Sequence, residues 1–147
     1  MNVKMVDISS KPEVFREATA EGFIRLKKET VELIKKGMVE KGDVLSVSST
    51  AALLAVKKTP EILPLTHNIP ITYVFTDYEI LDEGVKARVT VRTTAKTGVE
   101  MEALVGVSIA LLNIWDMVKK YEKDERGQYP TTKIEYIKVL EKVKSQT

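Results

Sequence analysis

The chain has 147 residues, a length that suits one globular domain with a sizeable core. Its 23 basic and 21 acidic side chains leave a formal charge of +2, so it lacks the global basic field that dominates nucleic-acid binding. Because it contains no cysteine, disulfides, thiolate nucleophiles, cysteine-ligated zinc and iron–sulfur clusters held by its own thiols are excluded.

The hydrophobic pattern argues against a membrane protein. The N-terminal residues contain no apolar signal core, and the uncharged run at 103–115 is shorter than the roughly 18 to 20 residues that span a bilayer. We therefore expect a cytoplasmic protein. A single domain is predicted over residues 1–147, with a flexible N-terminal segment at residues 1–14.

The first half of the chain predicts a strand followed by helices. Residues 16–26 end in an apolar alternation that is typical of a strand. Thr30 is a candidate N-cap of a helix that stops at Gly37, and Asp43 is a candidate N-cap of a second helix that ends near Lys57. A short helix should then restart at the Thr-Pro-Glu sequence that follows, since proline is tolerated at a first helical position.

The next segment predicts a β-hairpin. A strand is expected over residues 69–80, a turn over 81–84, and a second strand from residue 85, where apolar and polar residues alternate strictly. Three bulky residues of the first strand should share one face: Ile71, Tyr73 and Phe75.

A long helix is predicted over residues 98–122, then a loop marked by Gly127 and Pro130, and a final strand from Ile134. This order is that of the split βαβ, ferredoxin-like α+β domain, an antiparallel sheet with helices on one face. Apolar residues surround the long helix on nearly all sides, more than one sheet can cover, and this predicts an oligomer.

The start of the long helix has two interpretations. Thr97 and Glu100 have the spacing of a capping box, and Glu102 suits the positive end of the helix dipole. Capping does not explain why Glu100 and Glu102 flank Met101 close to Lys96. The cluster is therefore also a candidate site.

The other ionisable candidates are ambiguous when taken singly. His67 is the only histidine and is either a plain loop residue or a group that transfers protons or binds phosphate. Asp116 and Lys119 could form an ordinary i,i+3 ion pair on a helix. No spacing typical of a metal site occurs, so no metal ligands are predicted.

Helix geometry adds a constraint. Glu102 and Asp116 would lie about 21 Å apart along a continuous helix, at roughly 1.5 Å per residue. One small substrate cannot reach both ends, so a site that uses both must be assembled between subunits.

Five segments, in order, closely resemble the MoaC family of cyclic pyranopterin monophosphate synthases, the second-step enzymes of molybdenum-cofactor biosynthesis: residues 5–11, 41–44, 57–67, 97–104 and 115–119. The resemblance covers almost the whole chain. It implies conversion of 3',8-cyclo-7,8-dihydro-GTP into cyclic pyranopterin monophosphate and pyrophosphate, a phosphorus–oxygen lyase activity. It also implies a ferredoxin-like fold and a hexamer, a trimer of dimers, with active sites between subunits.

The resemblance also implies roles for individual residues. Positions implicated in catalysis match Asp116, Lys119 and Lys41. If Lys41 and Asp116 meet across subunits, mixing Lys41→Ala with Asp116→Ala subunits should restore some activity. Positions that contact substrate match Leu65, Thr66, His67, Met101 and Glu102, and further pocket positions match Glu100 and Lys57. Arg16 is an additional candidate for the phosphates.

The chemistry of the implied reaction suits these residue types. Rebuilding a purine-derived ring requires repeated proton transfers, which Lys41 and Lys119 could perform if burial and mutual repulsion favour the neutral amine. Loss of pyrophosphate needs cations around the phosphates rather than a protein nucleophile, and His67 and Lys57 are candidates besides Arg16. Carboxylates such as Glu100 and Glu102 would accept hydrogen bonds from the donor edge of the ring.

The sequence requires no cofactor, although Mg²⁺ could accompany the triphosphate. Thr66 and Val118 stand where the family commonly has cysteine, and residues 141–147 replace a glycine-rich tail, which puts any substrate-covering role of that tail in doubt. The main alternative is a non-catalytic nucleotide- or pterin-binding oligomer of the same fold. An RNA-binding domain is less favoured, because the aromatic pattern that stacks bases is lacking. Neither nucleic acid nor a membrane is an expected partner.

Overall fold

The computed structural model describes residues 1–145 of the chain. These residues form the expected series of elements: β1 (Val14–Arg25), α1 (Lys28–Lys36), α2 (Val44–Lys57), α3 (Thr59–Ile62), β2 (Ile71–Leu81), β3 (Gly84–Ala95), α4 (Glu100–Glu122) and β4 (Lys133–Ser145).

The four strands form one antiparallel sheet in the order β2-β3-β1-β4, with the two central strands paired along their whole length. This order confirms the predicted split βαβ, ferredoxin-like α+β fold, with the helices packed on one face of the sheet. The oligomer remains a prediction.

The core lies between this sheet and α4. On β1 and β3 the side chains that face the helices are small or β-branched, and α4 packs Leu111 and Ile114 against them, both fully buried. Gly22 of β1 makes this close approach possible, since a Cβ there would lie 2.6 Å from Leu111 Cδ1 and 3.0 Å from the Tyr136 carbonyl oxygen. This contact therefore allows α4 to pack closely on the centre of the sheet.

The predicted cap of α1 is wrong. The helix begins at Lys28, Lys27 is its N-cap without a side-chain hydrogen bond, and Thr30 lies buried in the first turn. The backbone N–H of Lys27 donates instead to the two carboxylate oxygens of Glu122, at 3.1 and 3.3 Å. A buried carboxylate from α4 thus replaces the local cap.

The other three helix signals are confirmed. The Asp43 side chain accepts from the backbone N–H of Ser46 at 3.2 Å and caps α2. Gly37 ends α1 in the left-handed conformation, with φ of 66°. Pro60 lies in the first turn of α3, as expected.

The face predicted for β2 is wrong at one position. Ile71 pairs with Thr93 whereas Tyr73 pairs with Arg92, so the strand contains one extra residue between them. The bulge turns Ile71 towards the core, while Tyr73 and Phe75 stay together on the sheet face without helices, their ring centroids 6.5 Å apart.

Among the described residues one helix, α4, has the length and apolar composition that could cross a bilayer. Half of its most apolar stretch is buried within the fold, and the core helices of soluble proteins pass the same test. This finding is therefore weak support for a membrane span. Leu112 remains exposed beside Ile137 of β4, which agrees with the apolar surplus predicted for this helix.

Candidate active site

Two groups of ionisable side chains lie at opposite ends of α4. Glu100 and Glu102 belong to its first turn, and Asp116 and Lys119 lie near its other end. The helix is continuous, so about 21 Å of helix separates Glu102 from Asp116. Within one chain the two groups form separate sites.

A cavity of about 480 Å³ lies at the first of these ends. Its walls come from three segments, around residues 4–11, 65–67 and 97–102. The volume falls in the range of small-molecule sites. The structure brings together here six of the predicted substrate contacts: Leu65, Thr66, His67, Glu100, Met101 and Glu102.

Glu102 is the most buried charged group of this cavity, with 3% of its surface exposed. Burial raises its pKa from 4.5 to about 6, and the neighbouring charge of Glu100 adds to the effect. A carboxyl group that titrates this close to neutral pH can either accept or donate a proton.

We expect Glu102→Gln to stabilise the protein near neutral pH. Below pH 4.5 the carboxyl is protonated in both states, whereas between pH 4.5 and 6 only the folded state keeps the proton, so stability falls as pH rises. Above pH 6 the full penalty, about 2 kcal/mol, applies. Denaturant unfolding of wild type and variant at pH 4 and pH 8 should therefore differ little at pH 4 and by about that amount at pH 8.

The matched control is Glu141→Gln, because Glu141 is exposed on β4. This variant should keep the wild-type dependence of stability on pH. A Glu102→Gln variant that is less stable than wild type at pH 8 would contradict the burial penalty and point to a stabilising contact of the carboxylate.

Glu100 does not form the predicted capping box. The N-cap of α4 is Val99, without a side-chain hydrogen bond, and Thr97 lines the cavity instead. The Glu100 carboxylate folds back over Gly98, where a Cβ would lie 2.8 Å from Oε2. Lys142 Nζ of β4 lies 2.8 Å from the same oxygen, in an orientation that does not meet hydrogen-bond geometry.

Lys142 was missed by the sequence analysis. It belongs to the segment that replaces the glycine-rich tail of the family, and that segment continues β4 through Ser145. The pairing of Lys142 with Ala18 of β1 sets it on the helix-facing side of the sheet, close to the start of α4. The available signal was the alternation of lysines in residues 138–144. Gln146 and Thr147, the rest of this tail, lie outside the described residues.

His67 is oriented by the backbone of the N-terminal residues. Its Nε2 lies 2.7 Å from the carbonyl oxygen of Val6. A carbonyl oxygen only accepts, so Nε2 must carry the hydrogen, and Nδ1 is the nitrogen whose lone pair stays available in the neutral ring.

The second group centres on Asp116. Lys41 Nζ, from the loop between α1 and α2, lies 3.0 Å from Asp116 Oδ2, and Lys119 Nζ lies 3.2 Å from Asp116 Oδ1. Hydrogen bonds from Lys41 and then Lys119 lower the pKa of Asp116, so this carboxyl stays ionised.

This arrangement changes two expectations. The contact of Lys41 with Asp116 lies within one subunit, so these two side chains need no second subunit to meet. Roughly half of each lysine side chain is exposed in the single chain. Any burial that would favour a neutral amine must therefore come from another copy of the chain or from substrate.

The chain's similarity to known proteins includes the residues at both ends of α4. The sequence pattern of the MoaC family matches residues 5–145. The chain belongs to the MoaC family.

Similar relatives are archaeal proteins named probable cyclic pyranopterin monophosphate synthase. That of Aeropyrum pernix is 62% identical over 92% of this chain and 92% of its own length. Those of Sulfurisphaera tokodaii and Thermococcus kodakarensis are each 58% identical, over 97% and 98% of this chain and over 94% and 92% of their own lengths.

Two residues predicted to bind substrate in this MoaC family member lie outside the cavity. Lys57 is the exposed last residue of α2 and does not line it. Arg16 donates to the carbonyl oxygens of Ala95 at 3.3 Å and Lys96 at 3.4 Å, and so holds the loop between β3 and α4. A role of either residue in binding phosphate stays a prediction.

Within residues 1–145 no group of three or more histidine, aspartate and glutamate side chains is arranged to hold a metal ion. Mg²⁺ bound with a triphosphate would need few protein ligands of its own, and it too stays a prediction.

Proposed function

We propose that this chain is a cyclic pyranopterin monophosphate synthase, a phosphorus–oxygen lyase that converts the cyclised GTP-derived intermediate into cyclic pyranopterin monophosphate and pyrophosphate. The observation that carries the proposal is the convergence of six implied substrate contacts on one cavity, in a family member whose relatives bear this name. The Lys41, Asp116 and Lys119 cluster supports turnover rather than binding alone.

The cavity would bind the ring of the substrate. Glu100 and Glu102 would accept hydrogen bonds from the donor edge of the guanine-derived ring, and the half-exposed side chains of Leu65 and Met101 would contact its faces. The raised pKa of Glu102 lets this carboxyl return a proton to the ring during rearrangement.

The Asp116 cluster would move the protons of the ring rearrangement. Asp116 holds two ammonium groups in fixed positions, and closure by substrate and a second subunit would desolvate them and favour the neutral amine in one of them. One lysine would then act as base while the other acts as acid.

The phosphate step needs cations in place. A sugar hydroxyl attacks the α-phosphorus, a new phosphorus–oxygen bond forms, and the bond to pyrophosphate breaks with its electron pair on the leaving group. The hydroxyl proton passes to a basic side chain. Cationic groups, with His67 among the candidates and Mg²⁺ as a companion of the phosphates, would stabilise the developing negative charge.

We further propose that the working form is a cytoplasmic homo-oligomer, a hexamer built as a trimer of dimers, in which the cavity of one subunit faces the Asp116 cluster of another. The distance of about 21 Å along α4 supports this arrangement, because one small substrate cannot span it. The exposed apolar residues of α4 and β4 agree with further contacts between copies.

The direct test is incubation of the purified chain with the cyclised GTP intermediate. We expect one pyrophosphate for each pterin product, measured by enzymatic pyrophosphate assay and by product chromatography. Binding of the intermediate by a fully assembled oligomer without release of either product would instead support the non-catalytic alternative.

A further inference from the structure

The loop between α1 and α2, residues 37–43, carries Lys41 on a tight turn. The backbone N–H of Gly42 donates to the carbonyl oxygen of Val39 at 3.0 Å and closes this turn. Gly42 adopts φ of 116°, a conformation that favours glycine. Val39 is buried, whereas Lys41 lies in the exposed part of the turn. The position of Lys41 therefore depends on how the turn is held against the rest of the fold.

Tyr121 of α4 contacts this turn through a backbone hydrogen bond. Its hydroxyl oxygen accepts from the backbone N–H of Glu40, the residue before Lys41, at 2.9 Å. The Tyr121 side chain packs against the hydrophobic core, so the hydroxyl is attached to a well-held part of the helix. Tyr121 follows Asp116 by about 7.5 Å along the axis of α4. The helix thus contacts the turn at two separate points.

The ion pair with Asp116 is by itself a weak constraint on Lys41. Roughly half of each side chain is exposed, and exposed ion pairs are weak because solvent screens the charges and long side chains lose freedom. The pair of Glu40 with Lys120 is more exposed still. Lys41 Nζ also donates to the backbone carbonyl oxygen of Asp116 at 3.2 Å, so its place depends on the distance between the turn and α4. The Tyr121 hydroxyl fixes that distance at the residue next to Lys41.

We propose that Tyr121 is a positioning residue of the reaction, whose hydroxyl holds the turn of residues 39–42 so that Lys41 stays beside Asp116 and can transfer protons. This inference rests on the proposed function. Tyr121 acts through the backbone N–H of Glu40 and does not itself contact the reacting atoms. Misplacement of a reacting group by about 1 Å can lower the rate by about 10²-fold, so loss of this hydrogen bond should act on kcat.

Tyr121→Phe removes the hydroxyl and keeps the ring in the core. We expect kcat for the cyclised intermediate to fall about tenfold and KM to stay within about twofold, because Lys41 transfers protons whereas the residues proposed to bind substrate line the cavity. The matched control is Tyr129→Phe. The Tyr129 ring contacts Trp115, the neighbour of Asp116, at a centroid distance of 5.2 Å, and phenylalanine keeps this contact. In the control, kcat should stay within about twofold of wild type.

Hydrogen exchange, measured by mass spectrometry of peptides that cover residues 38–42, tests the contact without turnover. The Glu40 amide should exchange about threefold faster or more in Tyr121→Phe than in wild type or in Tyr129→Phe, because its acceptor is gone. The unfolding midpoint and the mass of the oligomer should match those of wild type. In Lys41→Ala subunits no amine is left to position, so adding Tyr121→Phe should change the residual kcat by less than about twofold.

An unchanged kcat in Tyr121→Phe, an equal loss in Tyr129→Phe, or a loss without faster exchange at residues 38–42 would overturn the inference. A further tenfold loss in the Lys41→Ala background would also overturn it, since Tyr121 would then act independently of Lys41. A higher KM together with loss of the oligomer would show that Tyr121 only supports the fold. Turnover by wild type that Tyr121→Phe leaves unaffected would refute this inference and keep the proposed function. Faster exchange in the variant of a wild type without turnover would refute the proposed function and keep the placement of Lys41 by Tyr121.

Discussion

Replacing Asp116 with asparagine is expected to lower kcat by about 10²- to 10⁴-fold, the usual contribution of positioned acid–base groups. Asparagine keeps the shape of the side chain but removes the charge that holds Lys41 at 3.0 Å and Lys119 at 3.2 Å. Both ammonium groups then lose their fixed positions. KM should change much less, because Asp116 positions the two lysines whereas the residues proposed to bind the substrate line the cavity. Steady-state kinetics with the cyclised intermediate would measure both constants.

Glu40→Gln is the matched control for this variant. Glu40 belongs to the same loop as Lys41, and its carboxylate pairs with Lys120, the residue after Lys119 on α4. The variant therefore removes a neighbouring exposed ion pair outside the proposed machinery, and kcat should stay within about twofold. The stability of both variants should change little, because exposed pairs contribute about 0 to 1 kcal/mol. Equal losses of activity in Asp116→Asn and Glu40→Gln would mean that this region only maintains the structure.

Mixed oligomers should recover activity only when the two kinds of subunit carry defects in different halves of the site. One parent is Asp116→Asn, and the other carries His67→Ala with Glu102→Gln in the cavity. In a two-fold dimer the mixed species contains one intact composite site, so random mixing should restore about a quarter of the wild-type activity. Turnover measured after joint refolding, with mass spectrometry of the assembled species, tests this directly.

The control mixture combines Lys41→Ala with Asp116→Asn subunits. These side chains form their contact within one subunit, so every cluster in the mixture remains defective and no activity should return. Recovery in this control, or failure of the first mixture in oligomers shown to be mixed, would contradict the proposed composite site. Only recovery of activity in the control mixture would support the prediction that Lys41 meets Asp116 across subunits.

The predicted helix caps were wrong where a contact with a distant residue replaced the local cap. Thr30 could cap α1 in isolation, but the buried carboxylate of Glu122 satisfies the Lys27 N–H instead. Thr97 and Glu100 have the spacing of a capping box, but Glu100 folds over Gly98 towards Lys142. A capping bond stabilises by about 1 kcal/mol, so a contact with another element can replace it.

The residues of the candidate site also fall into two classes, those that the sequence identified and those that only the tertiary structure placed. Those within the central motifs, such as His67 and Glu102, could be proposed from the sequence because their segments resemble the family. Lys142 could not be placed in this way, because it lies near the end of the chain and reaches Glu100 only when β4 has paired with β1.

The sequence by itself determined the order and type of the elements, the antiparallel hairpin, the length of α4 and hence the separation of its two charged ends. These follow from periodicity and chain geometry, which act over a few residues at a time. Only the tertiary structure decided that Glu102 is buried enough to titrate near pH 6, that Lys41 joins Asp116 within one subunit, and that residues around 4–11 line the cavity. Desolvation and ion pairing depend on which atoms meet in space, and those atoms come from residues far apart in the chain.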